Sequence, residues 1–418
     1  MAAGTAAATA TRRGASTPIA PLALAVASVG LALAFGGLYW DGVWHTTVPF
    51  EEFWSPPHLV LYAGLALVLI VNLAIFHPPF REAFGGTSVQ VPFVSFRLPA
   101  PLVLLAAGSL MAIFSGMADQ KWHETLKGGE SAYSLPHNFT ILGGMLAALA
   151  VCSAFLLLQR RAGRVANKWA VAVFAAVLVM VMYRLTYSFA ESQAGVLRAM
   201  ADPVLASDPQ AQALRQRYLE TNLLADNTVV APVFLVVAAL LPLSFARGLT
   251  GDRWAGTRAV LAFAGVGLAL TALFWLQGYR PVRSTPVALA VLPAGIAADL
   301  VFRARSHPAT AGAGRGTPPL ASPGARSAGS QFMADSLPWL VAAAAYLACY
   351  GALFGLHPAG VALALGGGWL AGFMGRGLAA VTVNATPRAV GWTLLWMGLV
   401  VPVALSGLDF YLRWPLLR

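Results

Sequence analysis

Long apolar runs recur along the chain, near 19–40, 57–77, 100–122, 136–158, 168–190, 223–246, 257–277, 285–303, 337–356, 358–378 and 389–410. An apolar stretch of about 20 residues is the length a helix needs to cross a hydrocarbon layer about 30 Å thick. Charged residues make up 10% of the chain, against about 25% in a soluble domain. The solvent for most of this sequence is therefore lipid. Backbone polar groups in lipid must be paired inside the segment or around a closed barrel. The sequence lacks the evenly spaced strands of alternating polarity that a barrel needs. The expected fold is all-α, a polytopic transmembrane bundle of about 11 helices.

The formal charge of +11 reads as topology rather than as nucleic-acid binding, because Lys and Arg gather beside cytoplasmic helix ends. With the N-terminus inside, Arg81, Arg97, Arg160, Arg161, Arg164, Lys168, Arg247, Arg253, Arg258, Arg303, Arg305, Arg315 and Arg326 fall on inner connections. Lys121, Lys127, Arg198, Arg215, Arg217, Arg280 and Arg283 fall outside and dilute the bias. The expected place is a bacterial cytoplasmic membrane, crossed many times. Residues 1–18 read as a disordered tail and 19–160 as four helices in two hairpins. Residues 161–303 read as further helices with an outer loop at 191–222. A flexible Ala/Gly/Pro/Ser-rich linker at 304–335 and a three-helix segment at 336–418 follow. Cys152 and Cys349 sit in apolar runs without a CxxC motif.

The first four helices hold a duplicated polar motif, a tandem helical-hairpin repeat. One copy reads Asp41, Trp44, His45, Ser55, Pro57, His58 and Gly64; the other reads Asp119, Trp122, His123, Ser134, Pro136, His137 and Gly143. Corresponding residues are 78 or 79 positions apart. Lipid packing alone selects no such polar letters. Asp and His four apart share a helix face. A Pro just before the second His suits the first turn of the next helix. Each hairpin should therefore gather a carboxylate and two imidazoles at its outer end, a workable ligand set for copper, zinc or iron. Helix-end capping with Trp44, Trp54 and Trp122 in an aromatic belt would explain one such cluster. Two matched copies favour metal.

Read as Asp-x3-His-x12-His, the residues Asp41, His45 and His58 resemble a metal site of the C subunit of copper membrane monooxygenases. That family oxidises methane, ammonia or short hydrocarbons. A second site in that subunit has Asn-x3-His-x13-His spacing, which Asp119, His123 and His137 share except that Asp replaces Asn. The resemblance covers roughly residues 19–150, extending at most to 246. It implies copper as cofactor and O2-dependent oxidation of a small apolar substrate or ammonia. It also implies other membrane subunits and a periplasmic cupredoxin-like subunit as partners. The extra carboxylate of Asp119 makes the second site more anionic than the family's. The helices after 257 have no counterpart there.

Other polar residues are weaker candidates. Glu51, Glu52, Glu124 and Glu130 could orient the histidine rings. Arg184, Glu191, Asn222, Asp226 and Asn227 could form a cluster near helices five and six. Met111 and Met117 read as packing. His77, His307 and His357 carry no matching carboxylate, and Asp299 is expected to pair with Arg303 at i+4. No Walker loop, dinucleotide fingerprint or Gly-x-Ser-x-Gly occurs. Against the monooxygenase stand a non-catalytic membrane protein that handles metal, and an ion-coupled transporter.

Overall fold

The computed structural model describes residues 19–44, 54–84, 88–91, 95–126, 134–164, 167–179, 181, 231–276, 291–306, 328–354, 356–383 and 387–407. In chain order its helices are α1 (Ile19–Trp44), α2 (Pro56–Leu73), α3 (Pro78–Phe84), α4 (Ala100–Leu126), α5 (Leu135–Arg161) and α6 (Lys168–Val179). Then come α7 (Ala231–Thr250), α8 (Ala255–Leu276), α9 (Val291–Ser306), α10 (Ala328–Phe354), α11 (Pro358–Val383) and α12 (Pro387–Leu395). A π-turn over Trp396–Val400 carries α12 on to residue 407. Among the described residues, seven helices are long and apolar enough to cross a membrane. They are α1, α2, α4, α5, α7, α11 and α12. The chain is an all-α, multi-pass membrane protein. The 1–18 tail and the 191–222 loop lie outside the described residues, and α10 begins at Ala328, inside the segment read as linker.

The helix ends follow local chemistry. Ser55 is the N-cap of α2, with proline in the first turn, and Ser134 caps α5 in the same way. Proline fits there because the first turn has no use for its missing N–H. Gly163 (φ 71°) and Gly251 (φ 60°) follow the last turns of α5 and α7. In that left-handed region a Cβ would be strained.

Between α2 and α4, which the apolar pattern leaves unassigned, α3 buries Phe80 and Phe84. The same connection holds two short antiparallel strands, β1 (Ser88–Gln90) and β2 (Arg97–Pro99), with Val89 opposite Leu98.

Close approach sets the helix pairing. A Cβ on Gly30 would stand 2.7 Å from Gly64 O, so α1 and α2 touch backbone to backbone. A Cβ on Gly108 would stand 2.6 Å from Gly143 O, and α4 and α5 meet in the same way. Small residues at such crossings let dispersion and weak polar contacts substitute for the hydrophobic effect that lipid removes. The two hairpins join where α1 packs on α5, with Phe35 against Gly144. They also join where Asn72 of α2 donates to Ser109 of α4.

Direction alternates. α1 runs antiparallel to α2, α4 to α5, α8 to α9 and α10 to α11, as the facing residues show. By contrast α7 and α11 run parallel, with Val237 near Gly367, Ser244 at Gly375 and Gly248 at Ala379. The loop ends of α1–α2 and α4–α5 therefore share one end of the molecule. Among the described residues Lys121 is the one Lys or Arg there; Arg160, Lys168, Arg253, Arg303, Arg376, Arg388 and their neighbours stand at the other.

Candidate metal centre

Asp41 lies in the last turn of α1 and is buried, 4% exposed. His58 lies in the first turn of α2, and its Nε2 is 3.3 Å from Asp41 Oδ1. The second hairpin repeats the arrangement, with His137 Nε2 3.5 Å from Asp119 Oδ2. In each case a carboxylate from the end of one helix meets an imidazole from the start of the next. The proline-started second helix turns the ring back toward the first.

These separations suit two roles. They allow an ion pair or hydrogen bond between the partners. They also match metal chemistry: two ligands each about 2.1 Å from a tetrahedral ion stand about 3.4 Å apart. The donors, one carboxylate oxygen and one imidazole nitrogen, are a set that copper, zinc and iron accept.

The third predicted donor of the first hairpin, His45, lies outside the described residues. His123 is placed in α4, but its side chain is not described. Among the described residues no three of His, Cys, Asp and Glu converge. The structure thus brings together Asp41 with His58 and Asp119 with His137. Glu51, Glu52, Glu130, Arg184, Glu191, Asn222, Asp226 and Asn227 lie outside the described residues, as does the side chain of Glu124.

The two pairs differ in support. Ser134 Oγ lies 2.9 Å from His137 Nδ1, fixing the ring and leaving Nε2 toward Asp119. A hydrogen bond of this kind on one ring nitrogen sets which nitrogen can bind a metal. Ser55 occupies the same place before His58, yet its buried Oγ has no hydrogen-bond partner among the described residues. His58 instead lies against Tyr62, ring centroids 5.8 Å apart, and Tyr62 meets Trp54 edge-on. Trp122 Nε1 is also buried without a hydrogen-bond partner among the described residues, three residues after Asp119. Orphaned polar atoms beside a carboxylate–imidazole pair are what a site built for a ligand would leave.

No family model, curated protein or solved structure matches this chain.

Sequence reasoning missed four contributors. Ser134 was quoted in the repeat without a role, although its i+3 spacing to His137 was the signal. Gly30 and Gly108 stand 78 residues apart, the same spacing as Asp41 and Asp119. Ser406 gave no signal: its Oγ accepts from Asn138 Nδ2 at 2.8 Å, so α12 is pinned beside the residue that follows His137. Ser406→Ala should lower the unfolding free energy by about 1 kcal/mol, the typical net worth of such a bond. Denaturant titration of the detergent-solubilised protein would read this; an unchanged midpoint would mean that α12 is held by packing alone.

The remaining candidates stay bland. Met117 is 61% exposed toward the outside of the bundle, and Met111 packs toward Gly398 of α12. His357 Nδ1 accepts the Ala359 N–H at the start of α11. The expected Asp299–Arg303 pair is replaced by a different one. Asp299 Oδ1 is 2.9 Å from Arg247 Nη1 on α7, whereas the Arg303 guanidinium lies over the Trp254 ring at 5.2 Å.

Proposed function

We propose that this chain is a copper-binding membrane protein that works as the C-subunit-like part of a copper membrane monooxygenase. In this reading the first site is Asp41, His45 and His58 and the second is Asp119, His123 and His137. The two hairpins are a tandem repeat, and the spans that cross the membrane number about 11. The observation that carries the reading is the same carboxylate–imidazole approach, 3.3 Å and 3.5 Å, at one end of both hairpins. The assignment to oxidation rests on the motif's resemblance alone.

Bound copper would supply one-electron redox chemistry with O2 at the membrane surface. The chain's own part is to hold donors and control their protons. Asp41 and Asp119 bring negative charge to offset the ion. Ser134 keeps the Nδ1 side of His137 occupied, so that Nε2 faces the carboxylate. Tyr62 lies against His58, and Trp54 backs Tyr62 edge-on. A substrate arriving through lipid would approach between α1, α2 and α4, where Ala34, Leu61, Leu65 and Ala112 form a small apolar cluster near this end. The basic end would face the cytoplasm and the paired acids the other side. Partners in this reading are further membrane subunits and a cupredoxin-like subunit.

The test is turnover in native membranes that contain the chain with its partners. Supplied with a reduced quinol, O2 and either a short alkane or ammonia, they should form oxidised product at the expense of O2. His45→Ala should abolish it. Copper retained without product under any donor would assign the chain to metal handling. Metal flux across sealed vesicles would assign it to transport.

A further inference from the structure

At the end opposite the Asp–His pairs, three chain segments gather cations at one corner. Arg160 Nη2 at the end of α5 donates to Leu249 O near the end of α7, at 3.1 Å. Lys168 Nζ at the start of α6 is 3.9 Å from Asp252 Oδ1, and Arg258 Nη1 of α8 is 2.6 Å from Asp252 Oδ2. Arg164 precedes α6 and Arg253 follows Asp252; both are exposed. Asp252, itself 5% exposed, is the acid that Lys168 and Arg258 contact, while Asp299 nearby is engaged by Arg247 and the first turn of α8. The cations are therefore in large excess over the charge that could neutralise them.

Directly along α6 from these cations runs an apolar stripe. Trp169, Val173 and Val177 are 51%, 42% and 42% exposed. Their four-residue spacing puts them on one helix face, one turn apart. The Arg258 guanidinium lies over the Trp169 ring at 5.5 Å, and Trp254 is also exposed beside the α7–α8 turn. Indoles at this level mark the interface between headgroups and chains. An unbalanced cluster of cations above a lipid-facing apolar stripe fits a molecule with an anionic head and a hydrocarbon tail. A zwitterionic headgroup brings its own cation and meets this corner less well.

We propose that this corner binds an anionic glycerophospholipid. Its phosphate sits among Arg164, Lys168 and Arg253, and one acyl chain lies along Trp169, Val173 and Val177. The proposal depends on the membrane fold and is independent of the metal reading.

Native mass spectrometry of the full chain released from detergent would test it. Phosphatidylglycerol and phosphatidylcholine of identical acyl chains are titrated in parallel. Phosphatidylglycerol should bind on the order of tenfold more tightly, as expected where several cations face one anionic lipid. The K168Q/R253Q variant should erase that preference. The R97Q/R388Q variant removes the same charge from exposed positions elsewhere at the same end and should keep it. Equal binding of the two lipids overturns the proposal. So does equal loss in both variants, which would mean a diffuse basic surface, or displacement of phosphatidylglycerol by millimolar inorganic phosphate, which would mean a free-anion site.

Discussion

On the proposed copper reading, changing His58 and His137 together to alanine should strip the purified protein of its metal. Each histidine approaches a carboxylate across its hairpin, at 3.3 Å and 3.5 Å, so each is the one described imidazole that can share a metal with Asp41 or Asp119. Loss of a supporting partner at a metal site costs 10- to 100-fold in affinity; loss of a ligand costs at least that, so retained copper should fall by about tenfold or more. The single variants should each remove only the share held at their own hairpin, which also shows whether both sites fill. His357→Ala is the control, since that ring serves the first turn of α11. Copper, zinc and iron per chain are measured together by elemental analysis, with intact folding checked by circular dichroism. Copper content equal to wild type in the double variant would end the metal reading.

What the sequence made legible follows from the range of the interactions. Apolar runs are local, and among the described residues helices lie where those runs are. The Asp41–His58 and Asp119–His137 approaches span one hairpin each, and the duplicated polar letters announced them. The Ser134–His137 bond is more local still and was within reach of the spacing argument. Asp299 shows where local rules stop. The i+4 rule pointed to Arg303, but α7 brings Arg247 from 52 residues away, and a buried carboxylate takes the cation that packing delivers. Ser406 meets Asn138 across 268 residues, beyond any periodicity. Strands of three residues are too short to show alternation, so the β1–β2 pair left no trace in the pattern.

The two ends of the bundle have opposite chemistry for one physical reason. Polar side chains are costly at hydrocarbon depth and collect where helices leave it. At one end the α1–α2 and α4–α5 hairpins each bring a carboxylate against an imidazole. At the other, guanidinium groups hydrogen-bond to the ends of neighbouring helices. Arg161 donates to Ala83 O at 2.9 Å and Arg81 to Ile75 O and Phe76 O at 3.0 Å. Each such bond satisfies carbonyls that a helix C-terminus leaves without an internal partner. The cations at this end therefore tie helices together.

The strongest tie at that end is Asp299, and Asp299→Ala should destabilise the protein by about 3–5 kcal/mol, the cost of leaving one buried charge without its partner. Asp299 is 1% exposed. It receives Arg247 Nη1 at 2.9 Å, the Gly256 N–H at 3.2 Å and the Thr257 N–H at 2.6 Å. The last two belong to the first turn of α8, where unpaired N–H groups and the helix dipole favour an anion. One carboxylate from α9 thus caps α8 and pairs with α7. The Arg247 guanidinium also lies 3.5 Å from the Phe302 ring centre, so its removal loses a cation–π contact as well. Most of the cost of Asp299→Ala should be the stranded Arg247. The D299A/R247M double variant should therefore recover a large part of the loss, because apolar replacement of a buried pair is often near neutral. What it cannot recover is the cap on α8, so the double variant should remain about 1–2 kcal/mol below wild type. Arg303→Ala, exposed and outside the pair, should shift stability by less than about 0.5 kcal/mol. Denaturant titrations in detergent, followed by tryptophan fluorescence, measure all four proteins. If D299A and R303A lost equally little, Asp299 would be an ordinary interfacial carboxylate. If the double variant were no better than D299A, the capping of α8 would outweigh the ion pair.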